Sequence, residues 1–366
     1  MKIVFRTDAS LTIGTGHVMR CLALARALAV REHTCHFICR NLPGNLARLV
    51  GKEFSLTLLP APSGAAPCAP PNHAAWAEVE WAKDAEETRA AVDEADWLIL
   101  DHYAFDARWE RNACPTGARI MVIDDLADRP HECDLLLDQN LGREATDYDG
   151  LVSAVCTRLI GPHYALLRSE FRDARKASLS RREAESQIHH ILVSMGGMDM
   201  NDATSRVLRA LALSDLPSEV RITVVMGSNA LALERVRELA AQMPLETEVL
   251  VDVRDMARLM SEADLAIGAA GSTTWERCTV GLPSIVIELA DNQAGIAQTM
   301  TQAGAALDPG DVRAADFACR LGATLNEAKD RLSSMAKMAS AICDGEGIER
   351  VLLHLTEVER NGRPIS

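Results

Sequence analysis

Short apolar runs and amphipathic helical stretches take turns along almost the whole chain, and this alternation limits its fold more than any other feature. In the first half, strand-like runs fall near 2–6, 34–39, 54–58, 97–101, 119–123 and 134–137, with helices near 17–31, 76–93 and 105–113. After Gly161-Pro162 a charged helix is expected over 164–186. A second series then opens, with strands near 189–194, 219–226, 247–251, 264–268 and 284–287 and helices near 201–213, 229–242, 254–261, 273–280 and 292–303. Strict alternation of β and α means parallel sheets covered on both faces, so the expected class is α/β with two doubly wound, Rossmann-like sheets. The 366 residues exceed what one core usually holds. They divide into a first domain over 1–163, a linker helix over 164–187, a second domain over 188–327, and a helical tail over 328–366 that can pack back on the first domain. The Pro/Ala-rich stretch from Pro60 to Pro71 reads as a surface loop that does not touch the chemistry, and no internal repeat is visible.

Hydrophobic residues make up 48% of the chain. No run reaches the ~18 apolar residues that a membrane span needs. A formal net charge of −14 and a pI near 5.2 argue against nucleic acid or an anionic membrane as partner. Any bound anion must then be held by local groups, chiefly backbone N–H and helix ends. The chain opens directly on a strand, so no signal peptide is expected. The cysteines are scattered, and the nearest approach to a metal-ligand set is His33, Cys35, His36 and Cys39. There the segment TCHFIC alternates like a strand, which puts Cys35 and Cys39 on the face of Phe37. No second Cys/His pair stands at finger-like spacing, so these are read as core thiols rather than zinc ligands. Buried reduced thiols suit the cytoplasm.

The densest chemistry lies between Asp8 and Cys21 (DASLTIGTGHVMRC), where an opening strand becomes a helix. Gly14 and Gly16 allow a tight turn and leave the helix N-terminus uncovered, with His17 directly behind them. A glycine-lined, electropositive turn carrying one titratable base suits chemistry on a phosphorylated small molecule. In parallel sheets the ligand sits beyond the carboxyl ends of the strands. The unusual polar tracts cluster there: Asp101-His102-Tyr103, Asp124-Asp125 and Asp138-Gln139-Asn140 in the first half, and 194–197, 268–274 and 291–293 in the second. Two domains with strand ends of this kind describe an enzyme that binds its ligand in a cleft between them. Asp124 and Asp125 are adjacent rather than spaced as a metal-binding D-x-D, and they are expected to end a strand and pair with Arg129.

At these residues the chain resembles the UDP-sugar hydrolases of pseudaminic acid biosynthesis, within the GT-B glycosyltransferase-like superfamily. The matching motifs are RTDASLTIGTGHVMRCLALA, LDHYAFDARWE, IDDLADRPHECDLLLDQN, LIGPHYALLRSEFR, ILVSMGGMDMNDAT and DLAIGAAGSTTWERCTVGLPSIVIELADNQ, in order from residue 1 to about 305. The resemblance implies a GT-B fold and hydrolysis of UDP-2,4-diacetamido-2,4,6-trideoxy-β-L-altropyranose to UDP and the free sugar, with no cofactor and no metal. It departs from the family pattern at Met198 and in the insertion at 60–71.

Under this resemblance His17 is the base for water, kept neutral by the helix end, with Asp8 as the group that orients it. Gly14, Gly16, Arg20, Tyr103 and Asn292 fall to substrate binding, the last two because they match active-site positions of the family motif. Gly196, Gly197, Gly271, Ser272 and Thr273 present N–H groups and hydroxyls suited to phosphate oxygens of UDP, with Glu276 on the ribose. Each has a plainer alternative. Thr273-x-x-Glu276 also fits a helix capping box, the glycines also serve tight packing, and Tyr103 also fits an ordinary half-buried tyrosine. Attack by water opposite the UDP predicts inversion without a covalent intermediate, and Ser272 lacks the adjacent base a nucleophile needs. Two other functions fit the same chain: a GT-B glycosyltransferase or hydrolysing epimerase acting on another UDP-sugar, and a silent nucleotide-sugar binding protein. The oligomeric state is not encoded visibly.

Overall fold

The computed structural model describes residues 1–64, 67–184, 187–289 and 294–357. The chain forms two units, Met1–Leu167 joined by the residues from Glu346 onward, and Arg168–Gly345. The first unit is built on β1 (Lys2–Thr7), β2 (Thr34–Arg40), β3 (Ser55–Leu59), β4 (Trp97–Asp101), β5 (Arg119–Ile123), β6 (Leu135–Asp138) and β7 (Thr157–Ile160). These strands pair in parallel in the order β3-β2-β1-β4-β5-β6-β7. The helices α1 (Gly16–Val30), α2 (Ala47–Val50), α3 (Trp81–Ala90) and α4 (Ala107–Ala113) make crossovers between them. The order reverses between β1 and β4, and the chain leaves the carboxyl ends of those two strands at the crevice where doubly wound sheets bind ligands.

Strand alternation decides what meets what at that crevice. Ile3 and Phe5 of β1, with Trp97 and Ile99 of β4, bury in one cluster with Val18, Leu22 and Leu24 of α1. Val4, Leu98 and Leu100 point the other way, into a cluster with Trp109 of α4. Carried on by period two, Asp101 falls on the α1 face, whereas Arg6, Asp8 and His102 fall on the opposite one.

The second unit opens with α5 (Ser169–Ala184) and continues through β8 (His190–Ser194), α6 (Ala203–Ala212), β9 (Arg221–Met226), α7 (Leu233–Ala241), β10 (Thr247–Val251), α8 (Met256–Glu262), β11 (Leu265–Ala269), α9 (Thr273–Thr279), β12 (Ser284–Ile287), α10 (Ala294–Gln302), β13 (Ala306–Leu307) and α11 (Phe317–Ile342). Its described strands are parallel in the order β10-β9-β8-β11-β12-β13, the same winding with the reversal between β8 and β11. The expectation of two doubly wound α/β sheets is therefore met.

The helical connections divide differently from the sequence reading. The helix read as a linker, α5, belongs to the second unit: its buried Arg182 donates to the carbonyls of Met260, Ala263 and Val280, and Arg175 donates to those of Thr279, Ser340 and Cys343. The tail splits, because α11 packs in the second unit while α12 (Gly347–Glu357) returns to the first. Cys35 and Cys39 bury beside Phe37, and burial pushes each thiol up to about 12. His36, on the other face of β2, meets the hydroxyls of Ser55 and Thr57.

Candidate active site

The loop that leaves β1 closes on itself before α1 begins. Ser10 accepts the Gly14 N–H on its carbonyl and the Thr12 and Ile13 N–H groups on its hydroxyl. Gly14 takes φ +80°, a conformation that a side chain would strain, with open space where its Cβ would stand. Gly16 starts α1, and Thr15 before it supplies no side-chain cap, so the first N–H groups of the helix are left to solvent or ligand.

On the first two turns of α1, His17 and Arg20 are three residues apart and share a face. Both reach Asp101 at the end of β4. His17 Nδ1 lies 2.6 Å from Asp101 Oδ1, and Arg20 donates to both oxygens of the same carboxylate at 2.6 and 2.7 Å. Burial opposes the charge on Asp101, but Arg20 and then His17 outweigh it and hold the carboxyl well below its ordinary range. A carboxylate only accepts, so Nδ1 donates in this contact, and in the neutral imidazole the lone pair falls on Nε2. Among the described residues nothing hydrogen-bonds to Nε2.

Asp125, just beyond β5, ties the next layer. It accepts from Arg20 at 2.7 Å and from the Tyr103 hydroxyl. The Tyr103 ring stands edge-on to His17, with centroids 4.6 Å apart. Burial, and then the Asp125 charge, push the Tyr103 phenol well above its ordinary value, so it stays protonated and donating. Asp124 pairs with Arg129 at 2.8 Å, as expected, while Asp125 takes Arg20 and Tyr103 instead.

Several sequence readings need correction here. Asp8 does not orient His17. It accepts the Arg40 backbone N–H at 2.6 Å, pairs with Arg6 at 2.7 Å and lies 3.3 Å from His102 Nε2, all on the opposite face of the sheet. Arg20 is not open to substrate either, because it is buried and each of its donor nitrogens is committed to Asp101 or Asp125. Tyr103 is buried rather than half-buried, and its hydroxyl is already taken. The segment just after the insertion at 60–71, which sequence reading did not single out, approaches the chemistry. There a short 3-10 turn at Ala74–Ala77 brings His73 and Trp76 against Tyr103, at centroid distances of 5.6 and 5.4 Å. Asn292, with the rest of its loop, lies outside the described residues.

In the second unit the glycine loops leave β8 and β11, the two strands at the reversal. Gly196 takes φ +86° and is exposed, and the Gly197 carbonyl accepts the Gly227 N–H so closely that a Cβ on Gly227 would stand 2.5 Å from it. Asp199 then caps α6, accepting the N–H groups of Ala203 and Thr204. After β11, Gly271, Ser272 and Thr273 stay at least partly exposed. Arg277 is buried beneath them and donates to the Ala269 carbonyl and the Thr274 hydroxyl at 3.0 Å. Burial lowers its guanidinium to about 10, so it remains a cation at neutral pH, with no carboxylate in ion-pair reach among the described residues. The capping box does not form: α9 starts at Thr273 after Ser272, without a side-chain cap. Burial raises Glu276 to about 6 against the opposing charge of Arg168, 3.7 Å away. Its carboxylate is thus not spent on a cap, and Arg168 is its charge partner. Among the described residues no group of three or more His, Cys, Asp or Glu side chains is arranged to hold a metal ion.

Sequence reasoning set Asp101 and Asp125 among the polar strand ends without giving either a role beside His17, and it missed His73 and Trp76. A period-two reading of 97–101 against 2–8 was enough to place Asp101 beside His17. The other three depend on loop conformations that carry no periodicity.

Residues 190–343 match the glycosyltransferase family 28 C-terminal domain. Over 306 residues the chain is 26% identical to the UDP-2,4-diacetamido-2,4,6-trideoxy-beta-L-altropyranose hydrolase of Campylobacter jejuni, covering 83% of this chain and 97% of that protein. A UDP-N-acetylglucosamine--N-acetylmuramyl-(pentapeptide) pyrophosphoryl-undecaprenol N-acetylglucosamine transferase of Hahella chejuensis is 35% identical over 118 residues, 31% of either chain. Among solved structures, MurG of Acinetobacter baumannii superposes with a TM-score of 0.70 at 18% identity, covering 97% of this chain and 99% of its own. The resemblance read from the motifs is borne out, and the fold is that of the GT-B glycosyltransferases.

Proposed function

We propose that the chain is a UDP-sugar hydrolase in which His17 activates the attacking water. The observation that carries this reading is the His17–Asp101 pair: an imidazole held at 2.6 Å by a buried carboxylate, with its other nitrogen unpartnered among the described residues, at the ligand crevice of the first sheet. Support for the substrate class comes from the similarity to the Campylobacter jejuni hydrolase along nearly its whole length. The substrate is then UDP-2,4-diacetamido-2,4,6-trideoxy-β-L-altropyranose, and the product is a free sugar on the way to pseudaminic acid.

The step is a single displacement. Water oxygen attacks the anomeric carbon, the bond from that carbon to the β-phosphate oxygen breaks, and its electron pair leaves with UDP. Nε2 takes the water proton, while the Asp101 carboxylate stabilises the imidazolium through Nδ1–H. Arg20 keeps that carboxylate ionised and fixed. UDP is a good leaving group, so neither a strong general acid nor a metal is required. The glycine loops after β8 and β11 are the nucleotide site in this reading, with Arg277 supplying charge beneath the second loop and Glu276 facing the ribose hydroxyls. The buried thiols fit a reducing cytoplasm.

The test is a chelator-treated assay with the UDP-linked diacetamido-trideoxy sugar, following UDP and the sugar anomer by NMR. Release of both, with inversion, and its loss in His17→Ala are expected. Tight binding without turnover sinks the reading. A second reading, transfer to an acceptor hydroxyl, is favoured by the match of residues 190–343 to a glycosyltransferase domain. It predicts turnover only when an acceptor is added.

A further inference from the structure

Resting on the reading above, we propose that Trp76 is the sugar-specificity residue of this site. It presents an apolar ring face beside His17 that selects a deoxygenated, N-acylated sugar over its hydroxylated counterpart. The starting point is that Tyr103 cannot offer that face. It is 6% exposed, its hydroxyl is committed to Asp125, and its ring is covered by His17 at 4.6 Å, His73 at 5.6 Å, Trp76 at 5.4 Å and the Arg129 guanidinium at 5.9 Å. Trp76 and His73 are the partly exposed members of the set, and of the two only Trp76 carries a wholly apolar six-membered ring. It stacks on Tyr103 at 26°, meets the His73 ring edge-on at 4.8 Å, and stands edge-on to His17 at 6.3 Å.

The ring is also held in place before any ligand arrives. Ala74 and Ala77 of its 3-10 turn are buried, and Ala77 packs into the core cluster of the first sheet. Asn72 donates to Asp128 at 3.2 Å, and the Trp76 backbone N–H closes the turn on the His73 carbonyl. An indole fixed in this way loses little conformational freedom on binding. A sugar whose anomeric carbon is within reach of water on Nε2 has this indole along its flank. C–H groups and a methyl gain contact there, whereas a hydroxyl is stripped of water without receiving a partner. Discrimination by an apolar wall is modest, about 10- to 100-fold.

The experiment compares wild type, Trp76→Ala and Trp76→Phe on two substrates, the UDP-linked 2,4-diacetamido-2,4,6-trideoxy sugar and UDP-N-acetylglucosamine, which keeps its 6-hydroxyl. Trp76→Ala is expected to raise KM for the deoxy substrate about tenfold or more and to shrink the preference between the two, with kcat much less affected and Trp76→Phe largely restoring it. Binding of the free sugars is followed in parallel by the difference in tryptophan fluorescence between wild type and Trp76→Phe. Unchanged KM and unchanged preference in a folded Trp76→Ala overturn the proposal. Were the wild type to turn over neither substrate, the hydrolase reading fails by itself. A Trp76-dependent fluorescence response to the deoxy sugar then upholds the ring as a sugar platform, and its absence rejects that too.

Discussion

Asp101 holds three nitrogens at once: Nδ1 of His17 and two of Arg20. Replacing it with Asn keeps the shape but lets the amide donate, which permits the wrong imidazole tautomer. Asp101→Asn is therefore expected to lower kcat by about 10²- to 10⁴-fold with little change in KM. Asp8→Asn provides the contrast. Asp8 lies in a wholly buried group with Arg6, Arg40 and His102, and Arg6 and His102 hold its carboxyl well below the ordinary range against the cost of burial. Breaking such a pair costs about 3–5 kcal/mol of stability. Asp8→Asn should thus lower the denaturant midpoint while the folded enzyme keeps its kcat. Loss of kcat in a stable Asp8→Asn would return it to the catalytic group. Chain proximity had favoured Asp8, nine residues before His17, over Asp101, which is eighty-four residues away. The two-residue period of β1 and β4 held the answer, since it puts Phe5 and Asp101 on the α1 face and Arg6 and Asp8 on the other.

At the scale of elements, the strands that line the two crevices were legible because their apolar runs are long enough to show a period. β7 and β13 were not: four residues (TRLI) and two (AL) carry no pattern to read. The helix expected over 76–93 shows a different limit. Glu78 takes φ +54°, which ends the 3-10 turn and delays α3 until Trp81. That break turns Trp76 toward Tyr103 instead of setting it on the face of a longer helix. The loop before α9 supports a prediction on pH. The Glu276 carboxyl is raised by burial to about 6, so it takes up its proton as pH falls through that value rather than near 4.5. If it accepts from the ribose hydroxyls, affinity is full above pH 6 and declines below it, by up to about tenfold per pH unit for one proton. Uridine is the better probe, because it has the ribose and no phosphate of its own to titrate. Glu276→Gln should bind uridine weakly and without this pH dependence. An unchanged wild-type affinity between pH 7 and 5 would remove Glu276 from the nucleotide site.

At the scale of the molecule, the first unit is discontinuous in sequence. It is left at Leu167 and completed by α12 more than 170 residues later. Ile348, Val351, Leu352 and Leu355 of that helix bury in the same cluster as α1 and β1, the elements that carry His17 and its turn. Gly347 passes so close to Ala165 that a Cβ there would stand 2.3 Å from its carbonyl oxygen, and Arg350 donates to the His163 carbonyl at 2.8 Å. The unit that carries the proposed base therefore depends on residues read last in the chain. Leu355→Ala, at a fully buried position far from His17 in sequence, should destabilise the first unit by about 2–5 kcal/mol. Hydrogen exchange locates the effect: amides of α1, β1 and β4 should lose protection, while those of α6, β8 and β11 keep theirs. Equal loss in both sets would mean that the two units unfold as one cooperative body, and the stability of the His17 site would then rest on the entire chain.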